Sequence, residues 1–169
     1  LQSTKEGVQM YSAYLFDFDY TLGDATDGIV ESVNYALLQM NLDPFPKEEI
    51  KKTVGMQLSD TYTYLTKDSK QENQVRFALL FKQKADEIMT ENTNLFTDTE
   101  NVLHELKELN IKTAIVTTKY HYRITEILNK FGISHLIDTI VGGEDVKNSK
   151  PHPEGINMIL NILDHEPQS

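Results

Sequence analysis

Residues 14–22 read Tyr-Leu-Phe-Asp-Phe-Asp-Tyr-Thr-Leu, and they limit what this chain can fold into more tightly than any other stretch. Three strand-favouring residues, Tyr14, Leu15 and Phe16, run straight into two acids, and Thr21, Leu22 and Gly23 turn the chain away. The pattern is that of a buried strand ending in carboxylates. Asp17 and Asp19 lie two apart, so in extended chain their side chains leave the same face, about 7 Å apart along it. Two carboxylates placed so repel each other and resist desolvation unless a proton or a divalent cation sits between them. Magnesium, a hard cation that takes oxygen ligands, suits such a pair. Two solvated acids in a turn would show the same Asp-x-Asp pattern, so the choice depends on the rest of the chain.

Beyond the acids the chain is first helical and then alternating. Residues 24–40 carry Ile29, Val33, Leu37 and Met40 at helical spacing, with Asp24 or Thr26 placed to cap the N-terminus. Pro44 and Pro46 break that helix; short helices over 47–53 and 56–65 and a long one over 68–92 complete an all-helical region. Thr97 and Glu100 are then spaced as a capping box for a helix bearing Val102, Leu103, Leu106 and Leu109. A strand over 111–116, a helix over 122–131 stopped by Gly132, a strand over 136–141 and a last helix opened by Pro153 come next. Strands alternating with helices predict a parallel sheet covered on both faces. The expected fold is therefore α/β: a Rossmann-like core of residues 1–23 and 96–169, into which residues 24–95 are inserted as a helical-bundle cap. Hinges are expected near Gly23 and Phe96, and the acid-bearing strand is expected at the centre of the sheet.

Composition excludes several classes of function. The absence of cysteine removes disulfides, thiolate chemistry and zinc–cysteine sites. A net charge of -10 with no basic stripe argues against nucleic acid or an anionic membrane as partner. No run approaches the roughly 20 apolar residues of a membrane span, and residues 1–10 lack the basic start and apolar centre of a signal peptide. The expectation is a cytoplasmic monomer acting on a small molecule. If that molecule is a phosphate ester, a few local cations, helix N-termini and a metal must hold it against the overall field.

Ligands of open α/β sheets gather at the carboxyl ends of strands, which directs attention to the residues after Val116 and Val141. Thr117 and Thr118 offer a hydroxyl and backbone N–H groups to a phosphoryl oxygen, although a hydroxyl capping a turn explains Thr117 equally well. After Gly142 and Gly143, Lys150-Pro151-His152-Pro153 sets a lysine just before a helix. Lys119 and Arg123 are weaker candidates for holding an anionic substrate. Glu144 and Asp145 read as a turn and helix-start pair, with an acidic metal site as the alternative. The five histidines, His104, His121, His135, His152 and His165, show no metal-ligand spacing.

Taken together, Asp17-Phe18-Asp19-Tyr20-Thr21-Leu22, Thr117 at the end of an apolar strand and Lys150-Pro151-His152-Pro153 resemble, in order, the first three motifs of the haloacid dehalogenase-like superfamily. The resemblance runs from Ser12 to about Pro167 and is nearest to capped phosphatases of the phosphoglycolate phosphatase type, with β-phosphoglucomutases next. It implies that Asp17 is a nucleophile toward phosphorus, Asp19 a general acid and base, and Lys150 the cation holding nucleophile and phosphoryl group together. Thr117 and Thr118 would bind the phosphoryl oxygens, and Asp17 and Asp19 would bind magnesium. The implied activity is magnesium-dependent hydrolysis of small phosphate monoesters through an aspartyl-phosphate; a phosphomutase or a catalytically silent phosphate-binding protein are the alternatives. Residues 54–58 occupy the place of the loop that selects substrate in that group. Two departures stand out. Tyr20 replaces the more usual glycine, and the chain stops at Ser169 before the family's fourth, acidic motif, which implies a truncated sequence with an incomplete metal shell.

Overall fold

A computed structural model describes residues 11–165. The expectations for residues 1–10 and for the end of the core after residue 165 lie outside them. In chain order the elements are β1 (Ala13–Phe16), β2 (Gly23–Asp24), α1 (Thr26–Gln39), α2 (Lys47–Lys51), α3 (Leu58–Thr66), α4 (Gln71–Ile88), β3 (Asn94–Leu95), α5 (Thr99–Glu108), β4 (Lys112–Val116), α6 (His121–Lys130), β5 (Thr139–Val141) and α7 (Glu154–His165).

β1, β4 and β5 form a parallel sheet in the order β1-β4-β5. Among the described residues β4 is the middle strand and β1, which carries the acids, lies at the edge, contrary to the expectation of a central β1. The buried pattern of β4 explains this: four of its five residues, Thr113 to Val116, are buried, whereas the residues of β1 are only half-buried or exposed. Side chains alternate across β4. Ile115 packs with Leu103 of α5 and with Ile124, Ile127 and Leu128 of α6 on one face. Ala114 and Val116 pack with Ile159 of α7 on the other. Each fully buried aliphatic side chain of this kind contributes about 1.5–3 kcal/mol relative to exposure, so both faces of the sheet are secured.

The four helices between β2 and β3 have a separate core, in which Val33, Ala36 and Leu37 of α1 meet Phe77, Phe81 and Ala85 of α4, with Ile50, Tyr62 and Leu65 filling the remainder. β2 and β3 pair antiparallel, Gly23 opposite Leu95 and Asp24 opposite Asn94, so both ends of the helical block leave the sheet side by side. Two residues per strand gave no periodicity by which the sequence could reveal this ribbon.

Two local expectations are corrected. The capping box at Thr97 is absent: α5 begins at Thr99 behind Asp98, and no side chain caps it. Instead the Thr99 hydroxyl donates to the Leu22 carbonyl (2.7 Å), tying the helix to the chain below the acids. The strand expected from residue 136 begins at Thr139, because residues 134–136 form a 3-10 turn. That turn is held in place by Thr113, whose hydroxyl donates to the Leu136 carbonyl and whose amide donates to Asp138 (2.8 Å).

Candidate active site

The register of the sheet assembles the site. Phe16 pairs with Ile115 and Val116 pairs with Val141, so the three strands end almost level, and Asp17, Thr117 and Gly142 emerge next to one another. Beyond β1 the chain does not stay extended. Phe18 is fully buried in the sheet core, and its carbonyl accepts the amides of Thr21, Leu22 and Gly23 in a tight turn. Anchoring Phe18 inward throws Asp17 and Asp19 outward together. Tyr20 completes the turn with φ of 62°, a left-handed conformation that favours glycine, and its hydroxyl shares a 2.8 Å hydrogen bond with Thr26.

Lys150 reaches the site from far along the chain, placing Nζ 3.0 Å from Asp17 Oδ1, which also accepts the Phe18 amide at 2.7 Å. The loop that carries Lys150 lies close against the loop after β4. A Cβ on Gly142 would collide with the His121 amide and one on Gly143 with the Thr118 carbonyl. The glycine pair is therefore what lets the two strand ends touch. Glu154, at the start of α7, fixes the segment before the lysine by accepting the amides of Lys147 (2.8 Å) and Asn148 (3.0 Å). The Lys147 amide, the Asn148 side chain and then the Asn148 amide hold this carboxyl below its ordinary value of 4.5.

Glu144 and Asp145 are held by backbone amides, although Glu144 lines the same cavity as Asp19. Glu144 accepts the His121 amide at the start of α6, and Asp145 accepts the Gly142 amide (2.7 Å) and faces His121 Nδ1. They work as a turn and helix-start clamp.

Thr117 is buried; its hydroxyl oxygen accepts the Lys119 amide at 3.2 Å, leaving its proton free to donate outward, so the turn role and the ligand role coexist. Lys119, a weaker candidate by sequence, stands inside the site. Its Nζ lies 3.1 Å from Asp19 Oδ2, with side chains only 6% and 12% exposed. The other oxygen, Asp19 Oδ1, is buried and has no partner. The remaining signal was position: Lys119 follows Thr117 and Thr118 at a strand end, where a short turn directs it back over the sheet edge.

The unengaged Asp17 Oδ2 with the backbone carbonyl of Asp19 is a donor set suited to magnesium, and the unpartnered Asp19 Oδ1 stays open for a proton. Among the described residues no third His, Cys, Asp or Glu joins these two. Magnesium commonly uses one or two protein carboxylates and fills its shell with water and substrate phosphate, so the pair fits.

Two adjoining cavities open on the site. One, of about 410 Å³, is lined by Asp17, Thr117, Lys150 and His152; the other, of about 470 Å³, runs under the helical block and is lined by Asp19, Gln57, Lys82, Lys119, Tyr120 and Arg123. Thr118, Gly143 and Ser149 border both. Gln57, on the expected substrate loop, hydrogen-bonds Ser149 across the gap.

The profile of the haloacid dehalogenase-like hydrolase family matches residues 14–169. The chain is 30% identical over 156 residues to the pyrophosphatase PpaX of Bacillus velezensis, covering 92% of this chain and 70% of that protein. It is 32% identical over 154 residues to PpaX of Oceanobacillus iheyensis, again covering 70% of the relative. Among solved structures, a haloacid dehalogenase-like hydrolase from Bacteroides fragilis superposes with a TM-score of 0.88 at 36% identity, over 92% of this chain and 74% of that one. A predicted phosphoglycolate phosphatase from Haemophilus somnus shares the fold, with a TM-score of 0.81 at 23% identity over 94% and 74% of the two chains. No described helix is long and apolar enough to cross a membrane.

Proposed function

This chain belongs to the haloacid dehalogenase-like hydrolase family, and from that premise we propose that it is a magnesium-dependent phosphatase of small phosphate monoesters acting through an aspartyl-phosphate on Asp17. The observation that carries the reading is the Lys150 ammonium 3.0 Å from Asp17 at the level ends of the strands. An anionic nucleophile must approach an anionic phosphoryl group, and a cation fixed beside it offsets that repulsion.

Asp17 attacks phosphorus; the bond from phosphorus to the carboxylate oxygen forms as the bond to the leaving oxygen breaks. Asp19 gives a proton to that oxygen through the face that Lys119 does not occupy. In the second half Asp19 takes a proton from a water whose oxygen attacks the acyl phosphate, and phosphate leaves with Asp17 restored. Lys150 and the Thr117 hydroxyl, with the Thr118 amide, hold the phosphoryl oxygens. Magnesium held by the Asp17 carboxylate and the Asp19 backbone carbonyl would supply further neutralisation of those oxygens.

Residues 1–23 and 96–169 serve as the core and residues 24–95 as a cap that closes over the acids, excluding water. Phosphoglycolate and inorganic pyrophosphate, from the names of a structural neighbour and of the PpaX relatives, are the first substrates to assay. The test is phosphate release from an aryl phosphate with magnesium, in wild type and Asp17→Asn. The variant should keep less than about a hundredth of wild-type turnover, because loss of a covalent nucleophile normally costs more than two decades. Retention above that level rejects Asp17 as nucleophile, and transfer without free phosphate would indicate a mutase.

A further inference from the structure

The larger cavity contains cations that the reaction above does not use. Lys119 is engaged by Asp19, which leaves Arg123 of α6 and Lys82 of α4. Arg123 is only 4% exposed; it is paired with Asp86 of α4 and near the Tyr122 hydroxyl (3.1 Å), yet its Nε is buried without a partner. A buried N–H with no acceptor costs free energy that a ligand could return. Lys82 lies over the same two rings as Arg123, 5.2 Å from the centre of Tyr120 and 5.5 Å from that of Tyr122. Of the cations lining this cavity, Lys119 is paired with Asp19 and Arg123 with Asp86, while Lys82 faces no carboxylate among the described residues; Glu144, which also lines it, accepts the His121 amide. An ammonium without a counter-charge beside an arginine with an unused N–H is a place where an anion can be held, even in a chain whose net charge is -10.

The geometry points to a second anion subsite: we propose that Arg123 and Lys82, backed by Tyr120, bind a carboxylate or phosphate carried by the leaving group of the substrate, at the end remote from the reacting phosphorus. The orientation rests on the phosphatase reading, in which the leaving oxygen departs on the Asp19 side, and Asp19 lines this same cavity. Its volume of about 470 Å³ leaves room for a leaving group of several carbons between the two anions. Since α6 supplies Arg123 and α4 supplies Lys82, an ester with two anionic ends would also bridge the sheet domain and the helical block.

The test is calorimetric and does not depend on turnover. Propylphosphonate, 3-phosphonopropionate and alkane-α,ω-bisphosphonates with two to five carbons are titrated into wild type and Lys82→Met. Wild type should bind at least one anion-ended ligand about tenfold more tightly than propylphosphonate, as expected for one added charge-assisted contact, and Lys82→Met should remove most of that ratio. The preferred member of the series reports whether a carboxylate or a phosphate is read, and at what span. Arg123→Lys, which keeps the charge, should retain more of the preference than Arg123→Gln. Equal affinities across the series in wild type, or a ratio unchanged in Lys82→Met, would overturn the subsite. If the ratio behaves as expected while the matching phosphate esters are not hydrolysed, the subsite stands and the phosphatase reading fails.

Discussion

The site contains two aspartate–lysine pairs that differ in almost every physical respect. Asp17 and Lys150 meet at the mouth, with side chains 43% and 35% exposed, and come from opposite ends of the chain. Asp19 and Lys119 meet almost out of solvent, 12% and 6% exposed. An ion pair in water is worth at most about 1 kcal/mol, because solvent already satisfies both charges. A buried pair gains little net stability from being made, but breaking it strands a charge in a poor dielectric. The outer pair is thus free to exchange partners with a substrate, whereas the inner pair is committed to holding one carboxylate oxygen still. The proposed roles follow the same division: a nucleophile must be approached, and a proton carrier must be kept in place.

Substitution should separate the two pairs along two axes. Lys150→Met is expected to lower kcat/KM by about 100- to 1000-fold, the range for removing a preorganised charge at a reacting centre, with the unfolding midpoint almost unmoved. Lys119→Met should do the reverse in stability, costing about 3 kcal/mol in urea unfolding because Asp19 is left buried and unpaired. Equal stability losses in the two variants would break the comparison.

Gly143→Ala tests how the outer pair is assembled. A Cβ there collides with the Thr118 carbonyl, so the loops must part, with an expected cost of about 1–3 kcal/mol and reduced turnover. Lys150 should move away from Asp17 while Lys119 stays with Asp19; a crystal structure with both distances unchanged would contradict this.

Glu154→Gln should have a smaller effect, a few-fold loss in kcat/KM, since it loosens the segment before Lys150 without touching Asp17. The Glu154 carboxyl is held below its ordinary 4.5, so its folded form binds fewer protons than the unfolded chain in that range. Its contribution is complete above about 4.5 and is lost as pH falls through the depressed value. The wild-type to variant difference, followed by thermal unfolding from pH 7 downward, should hold to about 4.5 and then shrink. Tyr20→Phe should have the smallest effect, removing one hydrogen bond to Thr26 worth about 1 kcal/mol in thermal unfolding and leaving both pairs intact.

The sequence by itself determined the class of fold and which candidate residues stand at the strand ends, and the reasons are local. Periodicity in 122–131 and the glycine after it marked α6, which runs His121–Lys130 and is followed by Gly132 with φ of 72°. Alternation within β1 determined which face each side chain meets, Leu15 on one and Phe16 on the other, because a strand sends neighbours to opposite faces. The rest depended on approach between distant segments. That 23–24 pairs with 94–95, that Lys150 chooses Asp17 and Lys119 chooses Asp19 were all decided by which strand ends lie level and how closely two glycines let their loops pack. No window of sequence contains those distances, because they are set by the packing of α5, α6 and α7 on the two faces of β4.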